Sequence, residues 1–226
     1  WTFKLRKGVE FHNGKTMDAD DVIASINHHR GEDSKSAAKG LLTPIKDIKK
    51  ADKNTVVFEL DSGSGDWPFI MSDYHLPILP NKDGKMDWQS EAGTGGYIIE
   101  NYDPGVRFLA KKNPNYWKEG RGHFDSIENI SIIDTTARQN AAMNGDVDTI
   151  GRCDPQTVHL LERVDTLKIL EVTGTLHYTF PMRVTIEPFN NQDLRMAVKY
   201  SLNRQELVDK ILMGHGALGN DHPIST

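Results

Sequence analysis

Strand and helix patterns alternate through the middle of this 226-residue sequence, and that alternation constrains the fold more than any other feature. Extended apolar patterns at 127–133, 147–150 and 167–172 are separated by helical patterns at 135–144 and 154–163. A β-α-β-α-β order requires parallel strands that are joined by right-handed crossover connections. The sequence therefore predicts an α/β fold with parallel pairing in this stretch.

The amino-terminal part of the chain predicts a smaller α/β unit of its own. Apolar and polar residues alternate in 1–6, which is the period of a strand. A helix is expected to begin after Asp18, which is a good N-cap residue, with Asp21 at its third position. Two further strands are predicted at 45–48 and 55–60.

A glycine-rich segment, Gly93-Thr94-Gly95-Gly96, marks a change of organisation. A hairpin is expected beyond it, with strands at 97–99 and 106–110. Residues 175–186 form one long extended pattern, and two helices are predicted to close the chain. The expected ranges of these helices are 193–200 and 203–214.

The composition is that of a globular protein with a real core, since 37% of the residues are hydrophobic and 26% are charged. The formal net charge of −5 suggests no basic face, so no nucleic-acid partner is expected. No apolar run approaches the ~18 residues that a membrane helix needs, which predicts no membrane insertion in this span. The single cysteine, Cys153, cannot form an internal disulfide, so cysteine usage leaves the cellular compartment open.

The sequence lacks the common catalytic and metal-binding motifs. A P-loop ending at Gly14 would need a glycine five positions earlier, where the chain has Val9. There is no G-x-S-x-G elbow, and the nine histidines show no metal-ligand spacing. We therefore predict no catalytic residue, no metal and no cofactor. Cys153 remains a candidate nucleophile beside Arg152, which leaves an enzyme open as an alternative function.

Two loops are candidates for a ligand site on general grounds. Open α/β sheets bind ligands at the carboxyl ends of their strands. In the predicted order, these ends are 151–153 after one strand and 173–174 after another.

Five stretches of the sequence occur in an order that is typical of one protein family. They are 1–14 with Ala19, Asp21 and Val22; Gly93-Thr94-Gly95-Gly96-Tyr97; Asn113-Pro114-Asn115-Tyr116-Trp117; Ala141-x-x-x-Gly145-Asp146-Val147-Asp148; and Pro188-Phe189 with 194–204. Together they resemble the signature of family 5 extracellular solute-binding proteins, the peptide-, dipeptide- and nickel-binding components of bacterial ABC importers. Gly96 stands where the family motif G-T-G-P-Y has proline.

The resemblance implies a periplasmic-binding-protein-like α/β fold of type II, in which two lobes close over a ligand like a clamshell. Under that plan residues 1–92 are an extra α/β subdomain of the first lobe and 93–173 are its central part. Residues 174–226 are then the crossover strand and the beginning of the second lobe. Both ends of the sequence are expected to continue into a longer protein, with the second lobe largely missing here.

The same resemblance implies a solute-binding component of an ABC importer. Such a protein captures a peptide or similar small solute by lobe closure and delivers it to the permease subunits, without a reaction. The implied location is the periplasm, or the cell surface with a membrane anchor in a Gram-positive source. A sensor or interaction module of the same fold is a further alternative.

The cleft residues that the resemblance implies lie in two stretches of the chain. The matching positions are Gly151, Arg152 and Cys153 in the first stretch, and Gly174, His177 and Thr179 on the crossover strand. Arg152 suits a ligand carboxylate or another anion, because a guanidinium group pairs with such groups bidentately.

Overall fold

The polypeptide separates into two units, one formed by residues 1–131 and the other by the chain from Ile132 onward. The structure, a computed structural model, describes residues 1–172, 174 and 176–219. Predictions that concern Thr173, Thr175 and residues 220–226 lie outside the described residues. The three-part division at residues 92 and 173 stays a prediction.

A three-stranded antiparallel sheet organises the first unit. Its strands are β1 (Thr2–Lys4), β2 (Ile45–Asp52) and β3 (Thr55–Leu60). Their order is β1-β3-β2, so β3 is the central strand, and all three predicted strands are confirmed. Val56 and Phe58 of β3 are buried together because alternate residues of a strand face the same side.

Helix α1 (Ala19–His28) begins where the sequence predicted. The Asp18 carboxylate accepts a hydrogen bond from the Asp20 N–H at 3.0 Å. In return the Asp21 carboxylate accepts one from the Asp18 N–H at 2.9 Å, which completes a capping box. The buried core that joins this helix to the sheet includes Val22, Ile26, Val56, Phe58 and Trp67.

Short elements complete this part of the unit. They are α2 (Trp67–Ile70), β4 (Asn81–Lys82), β5 (Lys85–Met86) and the 3-10 helices Ala37–Leu42 and Trp88–Ser90. The Gly14 N–H donates to the Phe11 carbonyl at 2.8 Å, and Gly14 has a φ of +83°. The segment rejected as a P-loop is therefore a tight turn, which a glycine makes at little steric cost.

A second antiparallel sheet lies in the same unit. Its strands are β6 (Tyr97–Asp103), β7 (Arg107–Lys112) and β8 (Ser126–Ile130), in the order β6-β7-β8. The hairpin predicted after the glycine-rich segment is confirmed as β6 and β7. Strand β8 pairs with β7 in the antiparallel sense.

Residues of two family-like motifs are hydrogen-bonded to each other at the start of β6. The Asn113 side-chain amide donates to the Gly95 carbonyl at 2.9 Å, and the Trp117 indole N–H donates to the Thr94 carbonyl at 3.1 Å. The His12 ring is also bonded to the Gly95 carbonyl, at 3.0 Å. The conformation of the glycine-rich segment is thus fixed by side chains from two distant parts of the chain.

Gly96 packs against the ring of Tyr116. A Cβ atom at Gly96 would lie 3.2 Å from the Cδ1 and Cε1 atoms of the Tyr116 ring, so the ring would have to move. At Gly95 a Cβ atom would meet nothing within 4 Å.

We expect Gly96→Ala to lower the free energy of unfolding by about 1–2 kcal/mol through overpacking. The matched control is Gly95→Ala, for which we expect no loss, since alanine restricts the unfolded chain and meets open space. Urea unfolding of both variants measures the difference. Equal losses at the two positions would show that the Tyr116 contact does not decide the result.

Four helices are described in the second unit. They are α3 (Thr135–Asn144), α4 (Val158–Leu161), α5 (Gln192–Ser201) and α6 (Arg204–Lys210). Helix α3 ends as predicted at Gly145, whose φ is +76°. Helices α4 and α6 are shorter than the predicted ranges, although Asn203 caps α6 as expected.

The parallel pairing predicted for this stretch was wrong. Residues 147–150 and 167–172 are not strands, and every strand pair among the described residues is antiparallel. Likewise, the described residues of 175–186 form no strand, and the chain turns from Arg183 onward. An extended apolar pattern becomes a strand only where a neighbour supplies hydrogen bonds, and the described residues supply none here.

Helix α1 ends beside a buried histidine, His29, which is 7% exposed. Its Nδ1 atom is hydrogen-bonded to the Ser36 hydroxyl at 2.7 Å, and its ring lies 5.1 Å from that of His28. Burial is the main cause that lowers the pKa of His29 below its ordinary 6.5, and charge on His28 and His75 lowers it further.

This lowered pKa predicts a pH dependence of stability. As the pH falls below 6.5, the unfolded chain takes up a proton that folded His29 resists, so the free energy of unfolding falls. Unfolding measured between about pH 5 and pH 7 should show this slope, and His29→Gln should reduce it. The control is His123→Gln at an exposed position, which should leave the slope as it is. A slope unchanged by His29→Gln would remove this histidine as its source.

Candidate functional site

The first predicted site stretch is the loop from Gly151 to Cys153, between helices α3 and α4. Gly151 and Arg152 are exposed, and Cys153 is half-buried. Arg152 has a φ of +58°, a left-handed conformation that is uncommon for a residue with a side chain. Such backbone strain persists only where the surroundings hold it, and it is frequent at functional sites.

Two consecutive residues of helix α3 hold this loop. The Arg138 guanidinium donates to the Arg152 carbonyl at 3.4 Å and to the Ile132 carbonyl at 2.8 Å. The buried side chain of Gln139 donates to the Thr157 hydroxyl at 2.9 Å, and that hydroxyl donates back at 3.2 Å. The loop is therefore anchored both at Arg152 and at the entry to α4.

Sequence reasoning missed both anchoring residues. Arg138 and Gln139 lie in a polar run at the start of a helix, where such side chains are usually exposed. The available signal was weak, because a buried glutamine cannot be told from an exposed one without knowing which face of the helix is covered.

The guanidinium of Arg152 is directed to no acidic partner. In the part of the chain that the structure describes, this side chain makes no ion pair and no hydrogen bond. A Cβ atom at Gly151 would meet nothing within 4 Å, so the space beside the loop is open. The Arg152 guanidinium is thus a positive charge that no carboxylate of the described residues neutralises, and it lies on a loop whose backbone is accessible at Gly151.

The second predicted stretch contains Gly174, His177 and Thr179, all exposed. The apolar residues that alternate with them are exposed too: Leu176 by 85%, Tyr178 by 79% and Phe180 by 65%. His177 and Thr179 are thus neighbours of large apolar side chains on an exposed segment. A run of large apolar side chains is rarely left exposed on the surface of a soluble protein.

The six predicted residues thus occupy two stretches of the second unit. Two surface hollows are lined by residues of the first unit, and neither includes a predicted site residue. Within the described ranges, no group of three or more His, Cys, Asp or Glu side chains is placed to hold a metal ion. Among the described helices, none has the length and apolar character that crossing a membrane requires.

A comparison with known protein families shows which family the chain is related to. The family described as "Bacterial extracellular solute-binding proteins, family 5 Middle" matches residues 1–226. The chain belongs to this family. The resemblance inferred from the five motifs is confirmed.

Curated relatives of this family 5 chain are binding proteins. The glutathione-binding protein GsiB of Pectobacterium atrosepticum is 25% identical over 221 residues. That alignment covers 95% of this chain but 43% of the relative, so the chain spans less than half of the relative's length.

Solved structures of two-lobed binding proteins share the fold. The oligopeptide-binding protein AppA of Bacillus subtilis, in complex with a nonapeptide, matches 94% of this chain with a TM-score of 0.78 and 23% identity. NikZ of Campylobacter jejuni, in complex with Ni(L-His), matches 99% with a TM-score of 0.84 and 19% identity. This family 5 chain covers 44% and 45% of those two chains. The predicted fold class, a mixed α/β periplasmic-binding-protein fold, is confirmed, although the parallel pairing was not.

Proposed function

We propose that this family 5 chain is part of the solute-binding component of an ABC importer. The component captures a peptide or similar small solute and delivers it to the membrane permease, in the periplasm or anchored at the cell surface. The observation that carries the proposal is the family match over all 226 residues. The relatives' names describe binding of glutathione and of oligopeptides, which supports binding rather than catalysis by this chain.

The six candidate residues are proposed as ligand contacts, in two groups with different chemistry. Arg152 supplies a cation that pairs bidentately with a carboxylate or a similar anion. Gly151 and Gly174 leave open space beside the backbone, so a ligand can approach their peptide groups closely. His177 and Thr179 add side-chain hydrogen-bonding groups on an exposed segment. Cys153, half-buried, takes part as a packing contact.

Closure of two lobes is the proposed mechanism. A ligand shifts the balance from open to closed only through contacts that exist in the closed state. Enclosure also removes water, which strengthens the pairing between Arg152 and a ligand carboxylate. The exposed apolar residues Leu176, Tyr178 and Phe180 are proposed to pack against other parts of the longer protein.

The test uses the full-length protein with defined dipeptide and tripeptide pools. Small-angle scattering should show a smaller radius of gyration when a pool contains a ligand, and mass spectrometry of the retained material should identify it. We expect calorimetry of the 226-residue chain alone to show weak binding or none. No compaction with any pool would count against lobe closure, and tight binding by the 226-residue chain alone would count against the need for a second lobe.

A further inference from the structure

A basic hollow in the first unit is separate from the residues proposed for the solute cleft. It is a shallow depression of about 330 Å³. Its lining residues are Arg6, Trp117, Lys118, Glu119 and Arg121. Three of these five side chains are cations, although the whole chain carries a net charge of −5.

The Trp117 ring organises two of the cations. The Arg6 guanidinium lies 4.9 Å from the ring centroid, and the Lys118 ammonium lies 4.8 Å from it. Both distances are within the range of cation–π attraction, which is strongest for tryptophan. The ring itself is fixed by its hydrogen bond to the Thr94 carbonyl, so the two charges are held on a rigid support.

The third cation is brought to the hollow by a tight loop. Gly120 and Gly122 on either side of Arg121 have φ values of +65° and +70°. These left-handed conformations, which glycine adopts readily, turn the chain twice within three residues. Arg121 consequently lines the same depression as Arg6, although the two residues are far apart in sequence.

The cations of the hollow are not neutralised by carboxylates. Among the described residues, Arg6, Lys118 and Arg121 form no ion pair, and Glu119 is the one acid that lines the depression. Converging cations without a carboxylate partner repel one another, and an anion placed between them relieves that repulsion. Two guanidinium groups and one ammonium suit an anion with several oxygens.

We propose that this hollow binds a phosphate group. Arg6 and Arg121 bind its oxygens through paired N–H donors, and Lys118 adds a point charge. The phosphate belongs either to a small soluble molecule or to a lipid headgroup. The proposal stands apart from the solute cleft, because it rests on residues of the first unit.

The test follows the phosphorus NMR linewidth of inorganic phosphate that is titrated with the full-length protein at constant ionic strength. We expect saturable broadening, with affinity about tenfold weaker in Arg6→Gln and in Arg121→Gln. Glu119→Gln removes the one nearby acid and should strengthen binding. Lys35→Gln makes the same charge change as the arginine variants at an exposed position elsewhere in the unit and should change nothing. Arg152→Ala should also leave phosphate binding intact, which keeps this result independent of the cleft.

A second arm distinguishes the two sources of phosphate. Vesicles of phosphatidylglycerol and vesicles of phosphatidylcholine are sedimented with the same variants. If the protein sediments with the anionic vesicles and Arg6→Gln abolishes this, the site binds lipid headgroups. If the protein binds free phosphate saturably but does not sediment with vesicles, the site binds soluble molecules. The proposal is overturned if neither probe binds, or if Lys35→Gln weakens binding as much as Arg6→Gln does.

Discussion

Replacing Asp21 with alanine is expected to lower the free energy of unfolding by about 2–4 kcal/mol. The Asp21 carboxylate is fully buried and connects three parts of the first unit. It accepts hydrogen bonds from the Asp18 N–H at 2.9 Å and from the Asn81 N–H at 2.6 Å, and it pairs with the Lys15 ammonium. Alanine leaves these donors without an acceptor, and each part-buried backbone N–H that loses its partner carries a desolvation cost.

The neighbouring acid provides the matched control. Asp20 pairs with the Lys50 ammonium at 2.6 Å, but its side chain is 47% exposed, so Asp20→Ala should cost about 1 kcal/mol or less. Both variants remove one carboxylate from the first turn of α1. The difference between their losses of unfolding free energy therefore measures the effect of the burial of Asp21 and of its hydrogen bonds. Urea unfolding with a constant m-value measures that difference. Similar losses for the two variants would show that the contacts of Asp21 are not what holds this region.

The local structure around Asp21 was predictable because its signals lie close together in the sequence. Asp18 and Asp21 are three residues apart, and the capping box that they form follows from that spacing. The bond from Asp21 to Asn81 could not be predicted, since it joins positions 60 residues apart. The sequence therefore indicated a helix start but not a junction between distant segments.

The strand predictions in the first unit were confirmed, including β1, whose partner β3 is distant in sequence, whereas those at 147–150 and 167–172 in the second unit were wrong. Strands β2 and β3 are adjacent along the chain, and so are β6 and β7, so a turn signal and two alternating patterns define each pair. Residues 147–150 have an apolar pattern but no partner among the described residues. Pattern alone does not show whether such a partner exists, which is why the parallel order was wrong.

Two arguments from the sequence pointed to the loop at 151–153: the expected carboxyl end of a parallel strand, which the described residues do not form, and the resemblance to the family. Arg152 was selected because it matches a cleft position of the family, and its left-handed conformation was not foreseen. Its support from Arg138 and Gln139 depends on which face of α3 the loop covers, and that is a tertiary property. The resemblance to the family therefore suggested this loop as a ligand site, and the structure shows how the loop is held.

Replacing Arg152 with alanine in the full-length protein is expected to weaken binding of a carboxylate-bearing tripeptide by about 10- to 100-fold. The reason is loss of a charge-assisted, bidentate pair in an enclosed site. Arg152→Lys keeps the positive charge but not the paired N–H donors of the guanidinium, so it should give an intermediate loss of affinity. Arg163→Ala is the matched control, since that arginine is exposed in the same unit and should leave the affinity unchanged. Calorimetry with the tripeptide and with its carboxamide checks the pairing, because Arg152→Ala should cost little against the uncharged amide.

The strain at Arg152 makes a second variant decisive. Arg152→Gly removes the same guanidinium but suits the φ of +58°, so it should raise the free energy of unfolding by about 1 kcal/mol while abolishing the arginine contribution to binding. Opposite effects on stability and affinity are the expected sign of a residue kept in an unfavourable conformation for its function. If Arg152→Gly binds the tripeptide as tightly as the unaltered protein, Arg152 is not a ligand contact and its conformation belongs to the packing of the loop on α3.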